Sequence, residues 1–348
     1  MYRKRTVRGR RPVAHRAVAA LLAAGVLVIG LRGPLAGQQG RVSRNSEDGG
    51  SSTEGALFLL LPVGARAVAL GRAMTAAEGS ESAFWNPAGL AVLGKSRFLL
   101  VRGDHVAGQA TAASLLLARP PVGTLGFSYF LLDVGDQELR DANGNSLGTI
   151  SVRNHLGVAS FAAHLWEHVN AGINLKVVQF RLSCRGICEN QGTTATTYAF
   201  DWGVQVTPSE NLRFGAMMAH LGPKLQVLNA AQADPLPARA RVAVAYNVVH
   251  GLLESPDFGG WLLLELQDRV RDPGSRSLYL GSELTAGRED ALVLRAGYVF
   301  GDLDQEQGAR VGLGLKYERF ELSIAKSLVV SSLTGETEPV HVSFTIIL

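Results

Sequence analysis

From Ser96 to the end of the chain, apolar and polar positions alternate along short segments with a period of two. In the final segment, Val340, Val342, Phe344, Ile346 and Leu348 share one face, while His341, Ser343 and Thr345 share the other. Ala171, Ile173, Leu175 and Val177 alternate in the same way with Asn170, Gly172, Asn174 and Lys176. Tyr198, Phe200, Trp202, Val204 and Val206 alternate with Asp201, Gly203 and Gln205, and Val311, Leu313, Leu315 and Tyr317 with Arg310, Gly312, Gly314 and Lys316. Successive side chains of a strand point to opposite faces, so each segment predicts a strand with one apolar and one polar face. About fourteen segments follow, a count in the range of transmembrane barrels. They centre near Leu99, Ser114, Phe127, Ala159, Leu175, Gly203, Ala216, Ala243, Leu264, Leu280, Ala296, Gly314, Ser323 and Phe344.

A soluble sandwich also alternates. Here the polar face is rich in glycine and the apolar face recurs in nearly every segment, which predicts a transmembrane antiparallel barrel over residues 94–348. Connection lengths agree with an even strand number. The third, fifth, seventh and last connections, near 133–151, 183–193, 221–236 and 329–339, are long and would be extracellular. Those at 166–167, 208–210, 287–289 and 318–319 are short and would be periplasmic, although 249–257 is longer than that rule expects. Trp166 and Trp261 then fall at the periplasmic membrane interface.

Composition changes the picture mainly at the N-terminus. The chain has 348 residues and a formal charge of +4. Arg3, Lys4, Arg5, Arg8, Arg10, Arg11, Arg16 and Arg32 precede residue 38, and no acid accompanies them. Without those eight, 26 of the 34 basic residues face 30 acidic ones, a charge of −4. The basic excess therefore describes a signal peptide over 1–37, with an apolar stretch over 17–31, and no nucleic-acid-binding face. That stretch is shorter than the roughly 20 residues of a spanning helix. Residues 38–55 read as a flexible Gly/Ser-rich linker.

Residues 56–93 have another texture, with small side chains, a helical stretch near 65–77 and the turn-forming Asn86-Pro87-Ala88-Gly89. They read as an N-terminal hatch. Gly71 and Gly89 permit positive φ or close backbone approach, Pro87 fixes the turn, and Asn86 can hydrogen-bond the nearby backbone. The stretch Gly64-Ala65-Arg66-Ala67-Val68-Ala69-Leu70-Gly71-Arg72-Ala73, followed by Ser82-Ala83-Phe84-Trp85-Asn86-Pro87-Ala88-Gly89-Leu90, resembles the N-terminal motif of the PorV/PorQ family. That family is itself similar to FadL-type barrels, which carry an Asn-Pro-Ala-Gly element in their hatch. The resemblance implies fourteen strands, an outer-membrane location and a role beside type IX protein secretion, with secretion-machinery proteins or exported cargo as partners. FadL-like transport of hydrophobic small molecules is the alternative it implies. Asp141 to Gly148 also looks familiar from the family. The family's frequent double glycine is here Gly71-Arg72, and the last residue is Leu348 where outer-membrane barrels commonly end in an aromatic.

Other chemistry is sparse. Cys184 and Cys188 are the only cysteines, and in an oxidising compartment their spacing favours a small disulfide over a metal site. Asp141, Asn143 and Asn145 alternate like calcium ligands, but Asn143-Gly144 favours a tight turn and Val152 stands where an EF-hand needs an acid. His155, His220 and His341 accompany no nucleophile motif, so no enzymatic site and no cofactor is expected. Lys176, Asp201, Arg213, Glu265, Glu283, Arg295, Arg310, Lys316 and Glu321 fall on the inward face. Their mixed signs predict a filled lumen, with ion pairs to hatch residues such as Arg66, Arg72, Glu78 and Glu81. The inward glycines, Gly172, Gly203, Gly215, Gly281, Gly297, Gly312 and Gly314, would make room for the hatch.

Overall fold

The computed structural model describes residues 54–105, 108–188, 192–227, 233–249, 257–288, 290–301, 307–329 and 340–348. The expected signal peptide, most of the expected linker and most of the last extracellular connection lie outside the described residues.

Fourteen strands form one closed antiparallel barrel in which each strand pairs with its neighbours in sequence and β1 closes on β14. The strands are β1 Arg97–His105, β2 Gly108–Arg119, β3 Gly123–Arg140, β4 Ser146–Trp166, β5 Val169–Gly186, β6 Gly192–Ser209 and β7 Leu212–Leu221. They continue as β8 Arg239–Asn247, β9 Phe258–Arg269, β10 Ser277–Ala286, β11 Ala291–Phe300, β12 Gly308–Tyr317, β13 Phe320–Ser327 and β14 Val340–Ile347. Every segment centre named above lies within its strand. Closure leaves no sheet edge within the belt, which lipid requires because it offers the backbone no hydrogen-bond partner.

The apolar face points outward. Leu262, Leu264 and Leu266 on β9, Leu292 and Leu294 on β11, and Leu313 and Leu315 on β12 are exposed, while Leu263, Glu265, Val293 and Arg310 between or beside them are buried. A continuous apolar exterior of this kind is stable only in a membrane, and the chain is an outer-membrane barrel. Trp166 stands 70% exposed at the periplasmic rim, as expected of an interfacial aromatic. Trp261 does not. It has the inward parity of Glu265, and the Arg213 guanidinium stacks 4.6 Å from its ring centroid. Glu265 and Gln267 are buried, and counting back from them turns Trp261 into the lumen.

Two expected loops are largely strand. β3 and β4 stay paired from Asp136↔Ser151 up to Arg140↔Ser146, and β4 and β5 from Arg153↔Arg181 to Gly148↔Gly186. The four strands β3 to β6 thus project beyond the shorter remainder of the barrel. Asp141 closes the β3–β4 tip: its Oδ1 accepts from the Asn143 and Asn145 amides at 2.8 Å, and Gly144 has φ +85°. These bonds make a turn of the Asp141–Asn145 stretch. Cys184 and Cys188 are joined by a disulfide at the end of β5.

Residues 56–93 fill the lumen. Ala65–Ala69 form a single helical turn, α1, and Leu57–Leu60, Ser80–Ala83 and Pro87–Leu90 form 3-10 turns. The helix expected over 65–77 stops early because Gly71 (φ +58°) and Arg72 (φ +73°) both turn left-handed. The Arg72 amide bonds Ala67 O at 2.8 Å, closing the helix by a Schellman-type reversal. The departure from the double glycine therefore falls where the backbone favours a second glycine.

Candidate functional site

The plug is seated by close approach to wall glycines. A Cβ on Gly203 would lie 1.9 Å from Asn86 Oδ1, and one on Gly297 would lie 2.1 Å from the Gly71 nitrogen. Gly172, Gly215, Gly281 and Gly312 face residues of the 69–88 stretch in the same way, whereas Gly314 faces the Arg295 guanidinium. Backbone can approach backbone this closely only where one partner has no side chain.

Specific polar contacts fix the plug's register. Asn86 is fully buried; its Oδ1 accepts from the Ala88 amide at 3.1 Å and its Nδ2 donates to Thr75 O at 2.7 Å. Pro87, Ala88 and Gly89 follow it as the buried 3-10 turn, and a Cβ on Gly89 would press on Ala77 O and Ser82 Oγ at 2.6 Å. Gly64 precedes α1 with φ +107°, and a Cβ there would strike the Glu81 carboxylate. Glu81 fills that space and accepts from the Arg66 amide at 3.2 Å, the Ala67 amide at 2.9 Å and Ser343 Oγ at 2.8 Å. It thus anchors the start of α1, which has no side-chain cap of its own, to strand β14. Burial pushes the Glu81 carboxyl above the usual carboxylate range, against the opposing pull of these hydrogen bonds.

Ion pairs join plug to wall. Arg66 Nε lies 2.7 Å from Glu283, which also takes Arg295 at 2.6 Å, and Glu78 pairs with Arg213 at 2.7 Å. Arg72 also stacks on aromatic rings. Its buried guanidinium sits over Trp85 and Tyr279 at 5.7 and 5.5 Å and donates to Leu60 O. Just outside the hatch as expected, Glu54 forms a bidentate pair with Arg239, with both contacts under 3 Å.

The lumen is divided into three levels. On the periplasmic side lies a charged vestibule of about 300 Å³, lined by Arg66, Glu78, Arg213, Glu283, Lys316 and Glu321 among others. The plug occupies the middle. A cavity of about 20 Å³ beside Phe58, Trp85, Lys176 and Arg241 holds room for about one water molecule and for no organic molecule. In its wall, Lys176 Nζ meets Asp201 at 2.5 Å, and Asp201 also accepts the His220 amide at 2.8 Å.

The outer level is apolar, and sequence reasoning missed it. Phe130 and Leu132 on β3, Leu156 and Val158 on β4, Val178 on β5 and Ala195 and Ala199 on β6 turn inward. With Val101, Ala110 and Ala112 they form an apolar layer packed on the hatch residues Phe58, Leu59 and Val63. Phe58 lies against Phe130, their ring centroids 6.4 Å apart.

Comparison with known proteins bears on this geometry. No protein-family profile matches the sequence, and no curated protein matches it. Solved structures do match. CymD, a monoaromatic hydrocarbon channel, is 12% identical, with 83% of this chain and 98% of that chain covered and a TM-score of 0.57. The Pseudomonas putida toluene transporter TodX is 12% identical, with 81% and 96% covered and a TM-score of 0.51. The shared feature is the fold. This chain has the barrel architecture of these two channels.

Proposed function

We propose that the protein admits small apolar molecules through the outer membrane, in the manner of FadL-type transport. The observation that carries this reading is the apolar layer inside β1 to β6, packed on the hatch residues Phe58, Leu59 and Val63, which would face apolar ligands once the hatch moves. A water-filled porin would line that level with polar groups. The likeness in fold to two channels for monoaromatic compounds supports the same reading. The role first expected from the sequence, a partner in protein secretion, rests on the resemblance of residues 64–90 and 141–148 to the PorV/PorQ family, and the likeness in fold supports the transport alternative better.

Uptake of labelled toluene tests the proposal, using cells that lack hydrocarbon channels of their own and express the full chain. Uptake should rise several-fold over cells with an empty vector. Phe130→Glu places a charge in the apolar layer and should return uptake to background while the barrel stays folded. Equal uptake with and without the protein would overturn the reading.

A further inference from the structure

The membrane-facing side of β3 to β6 carries two features that the transport reading does not use. The first is a groove of about 520 Å³ on the outer wall, bordered by Phe127, Leu175, Val177 and Tyr198 and floored by Gly157 and Ala159. The bordering side chains are 46% to 64% exposed. Gly157 is not required by packing, because a Cβ added there meets nothing within 4 Å. It stands between Tyr129 and Val177 in the sheet register and leaves a slot where the rest of the belt carries large side chains.

The second feature lies on the same face, one and two outward positions further along β4. Arg153 lies four residues from Gly157, about 13 Å along the strand. It sits directly opposite Arg181 on β5. Two like charges opposite one another are unfavourable in a bare sheet. Arg153 Nε is 3.0 Å from Asp133, but Arg181 has no carboxylate partner among the described residues. His155, between the two levels, shares a hydrogen bond of 2.7 Å between its Nδ1 and the Tyr129 hydroxyl. The apolar belt ends here: outward positions pass from Leu131 to Asp133, from Val177 to Gln179 and Arg181, and from Tyr198 to Thr196. The basic groups therefore stand at the headgroup level of the outer leaflet, directly above an apolar slot at acyl-chain depth.

We propose that this face binds one phosphorylated outer-leaflet lipid, its phosphate held by Arg153 and Arg181 and an acyl chain lying in the groove over Gly157. Arginine forks match phosphate oxygens, and the anion offsets the repulsion between the two guanidiniums. The occupant is a lipid because the groove lies within the belt, where a soluble anion gains nothing and a peripheral protein does not reach.

The test is native mass spectrometry of the intact protein in detergent, with diphosphoryl lipid A as the probe. Phosphatidylcholine and sodium phosphate serve as the comparison arms. One lipid A adduct should be retained, with phosphatidylcholine retained far less. R153Q/R181Q should weaken retention on the order of tenfold or more, the scale of lost charge-assisted hydrogen bonds. Gly157→Leu, which fills the slot and leaves both arginines, should weaken it several-fold. Unchanged retention in either variant, equal retention of phosphatidylcholine, or complete displacement of the lipid by millimolar phosphate would overturn the two-part site. Each variant is first checked for the heat-sensitive gel mobility of a folded barrel. Should the double variant not fold, R181Q replaces it, since that side chain holds no ion pair among the described residues.

Discussion

Removing the Glu81 carboxylate should unseat the plug while leaving the barrel intact. In Glu81→Ala the amides of Arg66 and Ala67 lose their acceptor at a buried site, and the Ser343 hydroxyl loses one partner. The hydroxyl can rotate and still accepts from the Ala65 amide, so it costs little. Each stranded amide costs about 1–3 kcal/mol. Relief of the buried charge offsets part of that, which leaves roughly 3 kcal/mol against the seated plug. At 1.4 kcal/mol per decade, the open population rises on the order of a hundredfold. Hydrogen exchange of the intact protein reads this directly. Amides of α1 should exchange about two decades faster, while strand amides of β10 to β13, which serve as the internal reference, stay unchanged. Glu81→Gln keeps one acceptor oxygen and should fall between the two. Plug exchange equal to wild type in Glu81→Ala would refute the idea that this carboxylate anchors the hatch, and uniform acceleration in plug and strands would mean the barrel itself had loosened.

Four further outcomes follow from the same geometry. Because burial raises the Glu81 carboxyl in the seated state, seating is favoured by protonation; plug protection, corrected for intrinsic exchange, should weaken as pH rises through that raised value and flatten in Glu81→Gln. A rising protection with pH would contradict the sign. Gly297→Val places a side chain into the Gly71 backbone and should abolish the folded, plugged form, read as loss of the heat-sensitive gel shift or as new conductance in planar bilayers. Among variants with one tryptophan each, brominated lipid should quench Trp166 and Trp202 and spare Trp85 and Trp261; quenching of Trp261 would place it in lipid after all. Replacing Cys184 and Cys188 by serine should leave barrel stability unchanged within about 1 kcal/mol, because a loop this short removes little chain entropy, while protease cutting after Arg185 increases.

The strand count was legible because the pleat has a period of two and lipid demands apolar side chains on one parity only. Plug seating was legible for a related reason: a run of inward glycines has no use in a solvated lumen, and Gly203 and Gly297 meet Asn86 and Gly71 as a plug requires. Contact partners were less accessible. Nothing local tells Arg66 to choose Glu283, or tells Arg72 to stack on Tyr279, since those partners come from strands distant in sequence. The outward extension of β3 to β6 escaped notice because its alternation is weak, with Thr, Ser and Gly on both faces. Trp261 was misplaced within the apolar run Trp261-Leu262-Leu263-Leu264, where parity is set only by Glu265 and Gln267 downstream.

The apolar layer was hidden by an inversion rather than by weak signal. A reading that assigns apolar residues to lipid and small or polar ones to the lumen fails on β4. There Leu156 and Val158 point inward, while Gly157 and Ala159 point outward. Hydrophobicity alone therefore reads this stretch inside out. The register with β3 and β5 restores it, because Gly157 is aligned with the exposed Tyr129 and Val177, and Leu156 with the buried Phe130 and Val178. A single swap of large and small side chains between the two faces thus has two consequences. It lines the outer lumen with apolar surface, and it opens the groove on the membrane side of the same wall. Exchanging the sizes, as in Leu156→Gly with Gly157→Leu, would empty the first and fill the second, so toluene uptake and lipid retention should both change in a barrel that still closes. Uptake that survived this exchange would separate transport from the apolar layer.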